Sequence, residues 1–561
     1  MNNLKNGRAS IEPLWQEIAK FILPDRLRML STDVNDLWKS RRFIVDSTAT
    51  RASRTAVSGM QAGITSPSLD WFLLAPPHPA LMEQADVKRW LYGTTEAMRF
   101  VFNQSNFYQV TPMLYEDITN FGTSCAMIEG SLETAIHLTH FPIGSYWIAS
   151  DWKGRTNTFA REFQMTVFDI IEKFALRDEY ESSDSIDWSK VSEKVKSCYE
   201  NDQYHEMVDV THMVYPNPNY VMGDDRSEKK KFASCYFENS IQADSAKPPY
   251  EDKFLRESGY DYFPVLAPKW SVLGEDWYGN NCPGITALPD VRMLQKMQSR
   301  KLQGIEKMAD PPMTGPSKLR TMPSSTMPGR KTYIDVFQGQ QGFAPSYMVD
   351  PRLLEIRQDI SETKQMISDI YLENVFLSLT RDQRAQPPTA REVEELSREK
   401  SSLIGPLLEQ LNVDMLGPAV DITFYEMNKL GMVPPPPDML QGMPLKVEYI
   451  SELAQRQKFV AVGSMDRMLG FITAYASIDQ MIPQKINAGA FVDMYGDRLG
   501  ISPGVIRSEK EFAAVIQQIQ QAQAAQAQAA QAESLSKTSK NLSQSETSDG
   551  DNLLDQLQGA A

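Results

Sequence analysis

Cysteine is scarce in this chain of 561 residues, and its four copies lie far apart. They are Cys125, Cys198, Cys235 and Cys282, and no two of them form a CxxC pair. Disulfide frameworks and structural zinc sites need cysteines at short, regular spacings. Neither is expected here, and we predict reduced thiols in a cytosolic setting.

Recognisable catalytic and cofactor motifs are also missing. The five histidines include no HExxH, no GxSxG is present, and no GxGxxG follows a predicted strand. The stretch 329–332 (GRKT) resembles the end of a Walker A loop but lacks its upstream glycine. The pair His137 and His140 is better explained by surface or packed positions than by metal binding. We therefore predict no enzyme, no catalytic, cofactor-binding or metal-binding residues, and no cofactor.

Long apolar runs are absent as well. No stretch approaches the ~20 apolar residues that span a bilayer. The first residues, MNNLKNGRASIEPLWQEIAKF, lack the apolar core of a signal peptide. We expect no membrane association and a chain that is soluble or part of a soluble assembly.

The composition that is present favours a folded, acidic, multidomain protein. The net charge is −15, and 42% of the residues are hydrophobic. A chain of this length is too long for one ordinary core. The overall charge argues against general coating of DNA but leaves room for a local contact.

One predicted helix carries a basic face. Pro289 is expected at its first position, and Pro311 and Pro312 should end it near Ala309. At about 100° per residue, one stripe is apolar and nearly the opposite stripe is basic. The apolar stripe comprises Val291, Leu294, Leu302, Ile305 and Ala309, and the basic stripe comprises Arg292, Lys296, Arg300 and Lys307. An ordinary solvated face and a contact with an anion both explain this pattern.

A second predicted helix begins at Asp350 and Pro351 and has apolar residues at alternating spacings of three and four. This seam is Leu353, Ile356, Ile360, Thr363, Ile367 and Ile370, the pattern of a helix that packs along another helix. The insert between the two helices is rich in Pro, Gly, Ser and Thr and has one predicted strand, 331–337. From Val291 to Lys331 there are nine Lys/Arg and only two acids. This part of the chain is therefore locally basic.

Further elements are predicted on both sides of this region. Trp15, Ile18, Ala19 and Ile22 predict a helix that ends at Pro24, and small residues from Ala49 to Gly63 predict a closely packed helix. A strand is expected at 70–77, a helix, turn and strand at 115–130, and a hairpin followed by a helix from Thr166.

The C-terminal part is predicted to be mainly helical. Thr389 and Glu392 form a capping box, and Gly405 with Pro406 should kink the helix that follows. After the prolines at 434–437, short helices are expected, including 448–460 and 479–499. Residues 511–533 are rich in Ala and Gln and predict a helix, whereas the polar residues 534–561 predict a disordered tail.

Several stretches together resemble one family, the portal or head-to-tail connecting proteins of short-tailed bacteriophages. They occur in the family's order and cover the chain from about Glu12 to Pro437. The stretches are EPLWQEIAKFILPDR, SGMQAGITSPSLDWF, FGTSCAMIEG, GRTNTFAREFQMTVFDIIEKF, WYGNNCPGITALPDVRMLQKM, KMADPPM and QPPTAREVEELSREKSSLIGPLL.

The resemblance implies a fold class that is mainly α with α+β parts. The expected subunit has a wing, a two-helix stem, an inserted clip and a helical crown, and it forms a ring. The implied segments are 1–285 (N-terminal wing region), 286–309 (first stem helix), 310–350 (clip), 351–375 (second stem helix), 376–388 (channel loop), 389–440 (kinked wing helix) and 441–510 (crown).

The implied function is that of a portal: a ring at one capsid vertex, with a channel for DNA packaging and ejection. The ring would nucleate head assembly and dock the tail. Implied partners are further copies of the chain, giving a homo-oligomer that is expected to be a dodecamer, and double-stranded DNA. The other partners are the major capsid protein, scaffolding protein, terminase motor and tail adaptor proteins. The protein would be assembled in the host cytoplasm and lie in the virion.

Six basic residues are candidate DNA-channel contacts: Arg292, Lys296, Arg300, Lys307, Arg381 and Arg384. The same charges could instead pair with acids of neighbouring subunits, such as Glu362 and Asp369. A ring-forming tail adaptor and a DNA-packaging enzyme are the alternative functions.

Overall fold

The computed structural model describes most of the N-terminal three-fifths of the chain and separate stretches of the remainder. The described residues are 1–31, 44–68, 70–76, 78, 81, 84–176, 186–188, 190–224, 226–239, 254–315, 317–320, 343–346, 353–374, 376, 405–440, 442, 445–449, 465, 467–470, 488–499 and 509–544.

Helices account for most of the regular structure. They are α1 Asn2–Ala9, α2 Glu12–Phe21, α3 Leu27–Leu30, α4 Thr48–Ile64, α5 Ala85–Gln104, α6 Phe107–Phe121, α7 Val167–Ile170, α8 Glu193–Glu200, α9 Pro283–Ala309, α10 Leu353–Ile370, α11 Gly417–Lys429, α12 Ala488–Leu499 and α13 Glu509–Gln544. Two π-helical turns, Ile171–Ala175 and Asn412–Leu416, follow α7 and precede α11.

The strands form small sheets. They are β1 Phe72–Ala75, β2 Cys125–Ser131, β3 Ala135–Phe141, β4 Tyr146–Ser150, β5 Thr156–Thr166, β6 Met207–Pro216, β7 Phe232–Glu238, β8 Arg256–Tyr260, β9 Val265–Leu266, β10 Met313–Thr314, β11 Ala344–Pro345 and β12 Lys446–Tyr449. The largest sheet has the order β4-β5-β6-β7-β8, and a second sheet has the order β3-β2-β9. The mixture of helix and strand confirms the coarse fold class predicted from the sequence.

The chain divides into two compact units. The first comprises Met1–Leu74, Thr94–Pro435 and Val447–Ala454, and the second comprises Ala75–Gly93, Pro436–Lys446 and Gln455–Ala561. The first unit contains the five-stranded sheet together with α9 and α10. The second contains α12 and α13.

The core of the first unit confirms the N-terminal helix predictions. Trp15, Ile18 and Ile22 are fully buried, and the Trp15 indole donates to the carbonyl of Phe121 at 3.1 Å. The small residues of α4 are buried, which allows the helix to approach α6 closely. At the end of α6, Gly122 adopts φ +81°, a conformation that glycine takes without strain, and the chain then turns into β2.

The hairpin predicted before Thr166 is β4–β5, and Thr166 is the N-cap of α7 as expected. Its side chain accepts a hydrogen bond from the backbone N–H of Asp169. The π-helical turn that follows was not predicted. Its Phe174 packs with buried residues of α8 and the sheet, so tertiary packing fixes this irregular turn.

The basic helix begins earlier than predicted. α9 starts at Pro283 with Cys282 as N-cap, so Pro289 lies inside the helix instead of at its first position. An internal proline usually costs about 3 kcal/mol because it removes a hydrogen bond. Here the first turns are buried, at Pro283, Gly284, Ala287 and Leu288, and that packing offsets the cost. The end at Ala309 agrees with the prediction.

Two C-terminal predictions need correction. Residues 446–449 form β12, so the helix predicted at 448–460 does not begin there. α13 continues to Gln544, past the predicted start of the disordered tail at Ser534. Within this extension the Ser534 and Thr538 hydroxyls donate to carbonyls three and four residues earlier, so the helix satisfies their polar groups.

The kinked helix predicted for 389–440 is described only from residue 405. A π-helical turn lies at Asn412–Leu416, and the turn before Gly405 and Pro406, where the kink is predicted, lies outside the described residues. Pro418 follows the π-helical turn and lacks the backbone N–H that a regular helix would use, which favours the wider turn.

Candidate nucleic-acid interface

The candidate interface is the helix pair α9 and α10. A buried polar residue fixes the start of α9 and the end of α10. Asn120, at the end of α6, is fully buried and donates to the Ser53 hydroxyl of α4 at 2.7 Å. Its side-chain carbonyl accepts from the Tyr371 hydroxyl, just after α10, at 2.9 Å. Its backbone carbonyl accepts from the Cys282 thiol, at the N-cap of α9, at 3.2 Å. Both helices of the pair are thereby tied to α4 and α6.

Close packing at the same place excludes larger side chains. A Cβ added to Gly284 would overlap the backbone of Asn120, and one added to Gly59 would overlap the Phe376 side chain. Phe376 follows Leu372, which adopts the left-handed φ of +54° and turns the chain after α10. The α10 end is thus held against α4 by shape as well as by hydrogen bonds.

A second polar joint lies farther along the two helices, at Asp46. One of its oxygens accepts from the Thr48 backbone N–H at 2.9 Å, which caps the start of α4. The other accepts from Gln298 of α9 at 2.8 Å and pairs with Lys364 of α10 at 2.6 Å. The buried Gln295 of α9 also binds the backbone of Asp46, with its amide donating to the carbonyl at 2.7 Å. We call Asp46, Gln295, Gln298 and Lys364 the Asp46 joint.

Electrostatics favours the ionised form of Asp46. Burial alone would raise its pKa, but hydrogen bonds from Lys364 and Thr48 more than offset this and lower the pKa from 3.8 to about 2. The charged pair therefore persists across the neutral and mildly acidic range.

The four predicted cations of α9 all lie on its exposed side. Arg292 pairs with Glu17 of α2 at 3.3 Å, and Arg300 donates to Gln303 of its own helix at 3.1 Å. No acidic group among the described residues lies within ion-pair distance of Lys296 or Lys307. At 1.5 Å per residue, these cations form a stripe of roughly 22 Å. We call Arg292, Lys296, Arg300 and Lys307 the α9 cationic stripe.

The apolar stripe of α9 is buried only in its first half. Val291 and Leu294 are fully buried, whereas Leu302, Ile305 and Met308 are 49%, 41% and 49% exposed. Ala309 is exposed too, so the stripe predicted to pack against protein does not do so within one chain beyond Leu294.

The α10 seam is confirmed where its side chains are described. Ile360, Thr363 and Ile367 are buried, and Ile356 and Ile370 are partly buried. On the outer side of α10, Glu362 and Asp369 are exposed and accept hydrogen bonds from Gln358 and Gln365 one turn earlier, both at 3.1 Å. The α9 cationic stripe thus presents cations, and this outer side of α10 presents acids.

The remaining sequence predictions near this helix pair are two arginines and one strand. Arg381 and Arg384 lie outside the described residues, as does the strand predicted at 331–337. The ends of the predicted insert are described, and they pair as β10 and β11, with Met313 opposite Pro345.

The histidines are packed or exposed side chains, as predicted for His137 and His140. His140 contacts the buried Asp117 at 3.0 Å, and Arg26 lies at the same distance from that carboxylate. Burial lowers the pKa of His212 to about 3, which keeps it neutral beside Ser234. In the described part of the chain, no three His, Cys, Asp or Glu side chains form a metal-binding group.

The chain is similar to known proteins of one family. The family described as bacteriophage head to tail connecting protein matches residues 1–506. The chain belongs to this family. The match extends beyond the stretch from Glu12 to Pro437 on which the sequence resemblance was based.

Two curated relatives agree with this membership. The portal protein of Salmonella phage epsilon15 is 40% identical over 547 residues, which are 97% of this chain and 94% of that protein. The probable portal protein of Bordetella phage BPP-1 is 34% identical over 552 residues, which are 98% of this chain and 96% of that protein. The portal function predicted from the sequence is confirmed.

Family membership also places the chain at the junction of phage head and tail, where its partners are capsid and tail proteins. None of the helices within the described ranges is long and apolar enough to cross a bilayer.

Sequence reasoning found the cationic stripe but missed the joints that hold the helix pair. Asp46 offered a weak signal, since an acid two residues before Thr48 suggests a helix cap. Asn120 gave no signal, because its partners are up to 251 residues away in the sequence.

Proposed function

We propose that twelve or so copies of the chain form a closed ring at one capsid vertex and that double-stranded DNA passes through its channel during packaging and ejection. The observation that carries this proposal is the far half of α9, where apolar residues remain exposed beside the cationic stripe. Apolar side chains exposed along a helix suit contact with a neighbouring subunit. The exposed cations suit a polyanion.

The segments predicted from the sequence supply the parts of such a ring. In this proposal 1–285 is the wing region, α9 and α10 are the stem, 310–350 is the clip and 376–388 is the channel loop. The helix within 389–440 belongs to the wing, and 441–510 is the crown. The pairing of β10 with β11 supports the clip, because it closes the insert between the two stem helices.

The channel contacts in this proposal are the α9 cationic stripe together with Arg381 and Arg384. Each cation near a phosphate releases a condensed counterion, so binding would weaken steeply with salt. The competing role is a contact between subunits in which the stripe meets Glu362 and Asp369 of a neighbour. The exposed acids of α10 favour this second role for at least part of the stripe.

The proposed ring acts as a structural conduit, without catalysis of its own. It nucleates head assembly in the host cytoplasm with scaffolding protein and major capsid protein, receives DNA from a terminase motor, and docks tail adaptor proteins. A ring-forming tail adaptor would lack a channel-lining stem, and a DNA-packaging enzyme would hydrolyse ATP.

Native mass spectrometry and top-view electron micrographs of the purified chain test the proposal. We expect closed rings of about twelve subunits with a central channel and no ATP hydrolysis. A stable monomer at high concentration, with no rings on micrographs, would contradict the proposal. Turnover of ATP that survives careful purification would favour the packaging enzyme.

A further inference from the structure

An exposed tryptophan marks the tip of the β4–β5 hairpin. Trp152 is 88% exposed, and Lys153 and Arg155 beside it are exposed as well. The Lys153 ammonium lies 4.8 Å from the centre of the Trp152 ring. Tryptophan and arginine are the residues most enriched at the centres of protein interfaces.

The tip is held in one conformation. The Asp151 carboxylate accepts from the backbone N–H groups of Lys153 and Arg155, both at 2.9 Å. Gly154 supplies a φ of +77°. Below the tip, Lys269 is 1% exposed and donates to the Ser150 hydroxyl at 2.7 Å. A rigid tip loses little conformational entropy when it binds.

A cavity of about 430 Å³ lies beside the end of β8, within the roughly 300–1,000 Å³ usual for binding pockets. Its walls carry three tyrosines, three carboxylates and two lysines: Tyr260, Tyr262, Tyr425, Glu129, Asp261, Glu426, Lys230 and Lys429. The lysines pair with Asp261 and Glu426, at 2.8 and 3.7 Å.

Each tyrosine of the cavity donates to one carboxylate. Tyr260 donates to Glu129 at 2.8 Å. Tyr262 donates to Glu426 and Tyr425 donates to Asp261, both at 2.7 Å. Although burial opposes the change, hydrogen bonds from Lys230 and Tyr425 lower the pKa of Asp261. Three carboxylates against two lysines leave the lining with a net negative charge. Together with the aromatic wall, this charge suits an aromatic ring flanked by cations.

The hairpin tip and the cavity lie at opposite edges of the five-stranded sheet. β4 is at one edge and β8 is at the other, roughly 19 Å apart across four strand spacings. The antiparallel pairings from β5 through β7 place the start of β5, where the tip attaches, level with Tyr260 at the end of β8. The two features therefore share one end of the sheet.

We propose that the β4–β5 tip of one copy docks into the tyrosine–carboxylate cavity of the next copy. Different patches at opposite edges make a head-to-tail contact, the kind that repeats around a closed ring. Lys153 and Arg155 would face the cavity carboxylates while Trp152 covers the tyrosines. This inference rests on the proposed ring and adds the residues that join its wing regions.

Disulfide trapping tests the contact. Leu132 lines the cavity and is 92% exposed, so the double variant Leu132→Cys with Lys153→Cys places one thiol on each side. Oxidised rings should give a ladder of covalent oligomers on a non-reducing gel, whereas a bond within one chain leaves a monomer band. Each single variant is the control, and a mixture of the two singles should yield covalent dimers at most.

The variant Trp152→Ala measures how much the tip contributes to the free energy of ring assembly. Because Trp152 is exposed, the melting temperature of the variant should match that of the wild type. The protein concentration at which half of the chains are assembled into rings should rise about tenfold or more. The control is Leu273→Ala, at a side chain that is 74% exposed in another loop, and it should assemble normally. The docking inference would be overturned if the wild type forms rings but the double-cysteine variant gives no ladder and Trp152→Ala assembles normally. The proposed ring would then still stand. A wild-type chain without rings would overturn the proposed function instead.

Discussion

Replacing Asp46 with asparagine should loosen the joint between α4, α9 and α10. The variant keeps the size of the side chain but removes the charge that pairs with Lys364 at 2.6 Å. A pKa lowered from 3.8 to about 2 corresponds to about 2.4 kcal/mol of preference for the charged form in the folded state. The Lys364 side chain is 38% exposed, so solvent screens part of this interaction. We expect a loss of about 1–2 kcal/mol at pH 7.

The pH dependence separates the charge from mere packing. A carboxyl whose pKa is lowered on folding contributes stability that is fully present above its unfolded pKa and is lost as the pH falls through its folded pKa. The gap between wild type and Asp46→Asn should therefore close between about pH 4 and pH 2. Denaturant midpoints followed by tryptophan fluorescence at several pH values in this range would measure it.

The matched control is Glu17→Gln, which removes the exposed pair with Arg292. It should cost less than about 0.5 kcal/mol, because exposed pairs contribute little. A gap for Asp46→Asn that stays constant from pH 7 to pH 2 would refute the electrostatic reasoning. Equal stability of Asp46→Asn and wild type at pH 7 would refute the joint itself.

Three further predictions concern packing, DNA and the C-terminus. Gly59→Ala should destabilise the subunit by about 1–3 kcal/mol and so lower its melting temperature, because the added Cβ would overlap Phe376. Gly93→Ala is the control and should leave the melting temperature unchanged, because the space around Gly93 is open. Replacing the four residues of the α9 cationic stripe with glutamine should leave the subunit fold intact and flatten the salt dependence of DNA retention in filled heads; failed rings would assign the stripe to subunit contacts. Deleting 534–561 should leave ring assembly on native mass spectra unchanged, because α13 is exposed along its described end, and lost rings would show that this end is structural.

Local patterns in the sequence predicted much of the fold. Trp15 and its helical neighbours, the β4–β5 hairpin and the α10 seam could be read because periodicity and turn residues act over short distances. The start of α9 could not, since burial of Pro283 and Gly284 against α6 overrides the usual preference of a proline such as Pro289 for the first turn.

The candidate site also has one part that the sequence predicts and other parts that it does not. The cationic stripe is visible in the sequence because its residues repeat at helical spacing. The Asp46 joint joins Asp46 to Gln295 and Gln298, 249 and 252 positions away, and to Lys364 on another helix, and nothing local to these residues signals such a contact. The positions of Trp152 and of the tyrosine–carboxylate cavity at opposite edges of the sheet depend on strand order, which a single sequence does not specify.

The exposed far half of α9 has a consequence for the newly made chain. Between synthesis and capture by a partner surface, Leu302, Ile305 and Met308 face water on one long helix. Apolar side chains in this state promote unspecific association, and the rate of that association rises with concentration. The yield of correctly assembled protein should therefore depend on how fast the chain is produced relative to how fast its proper partner covers this helix.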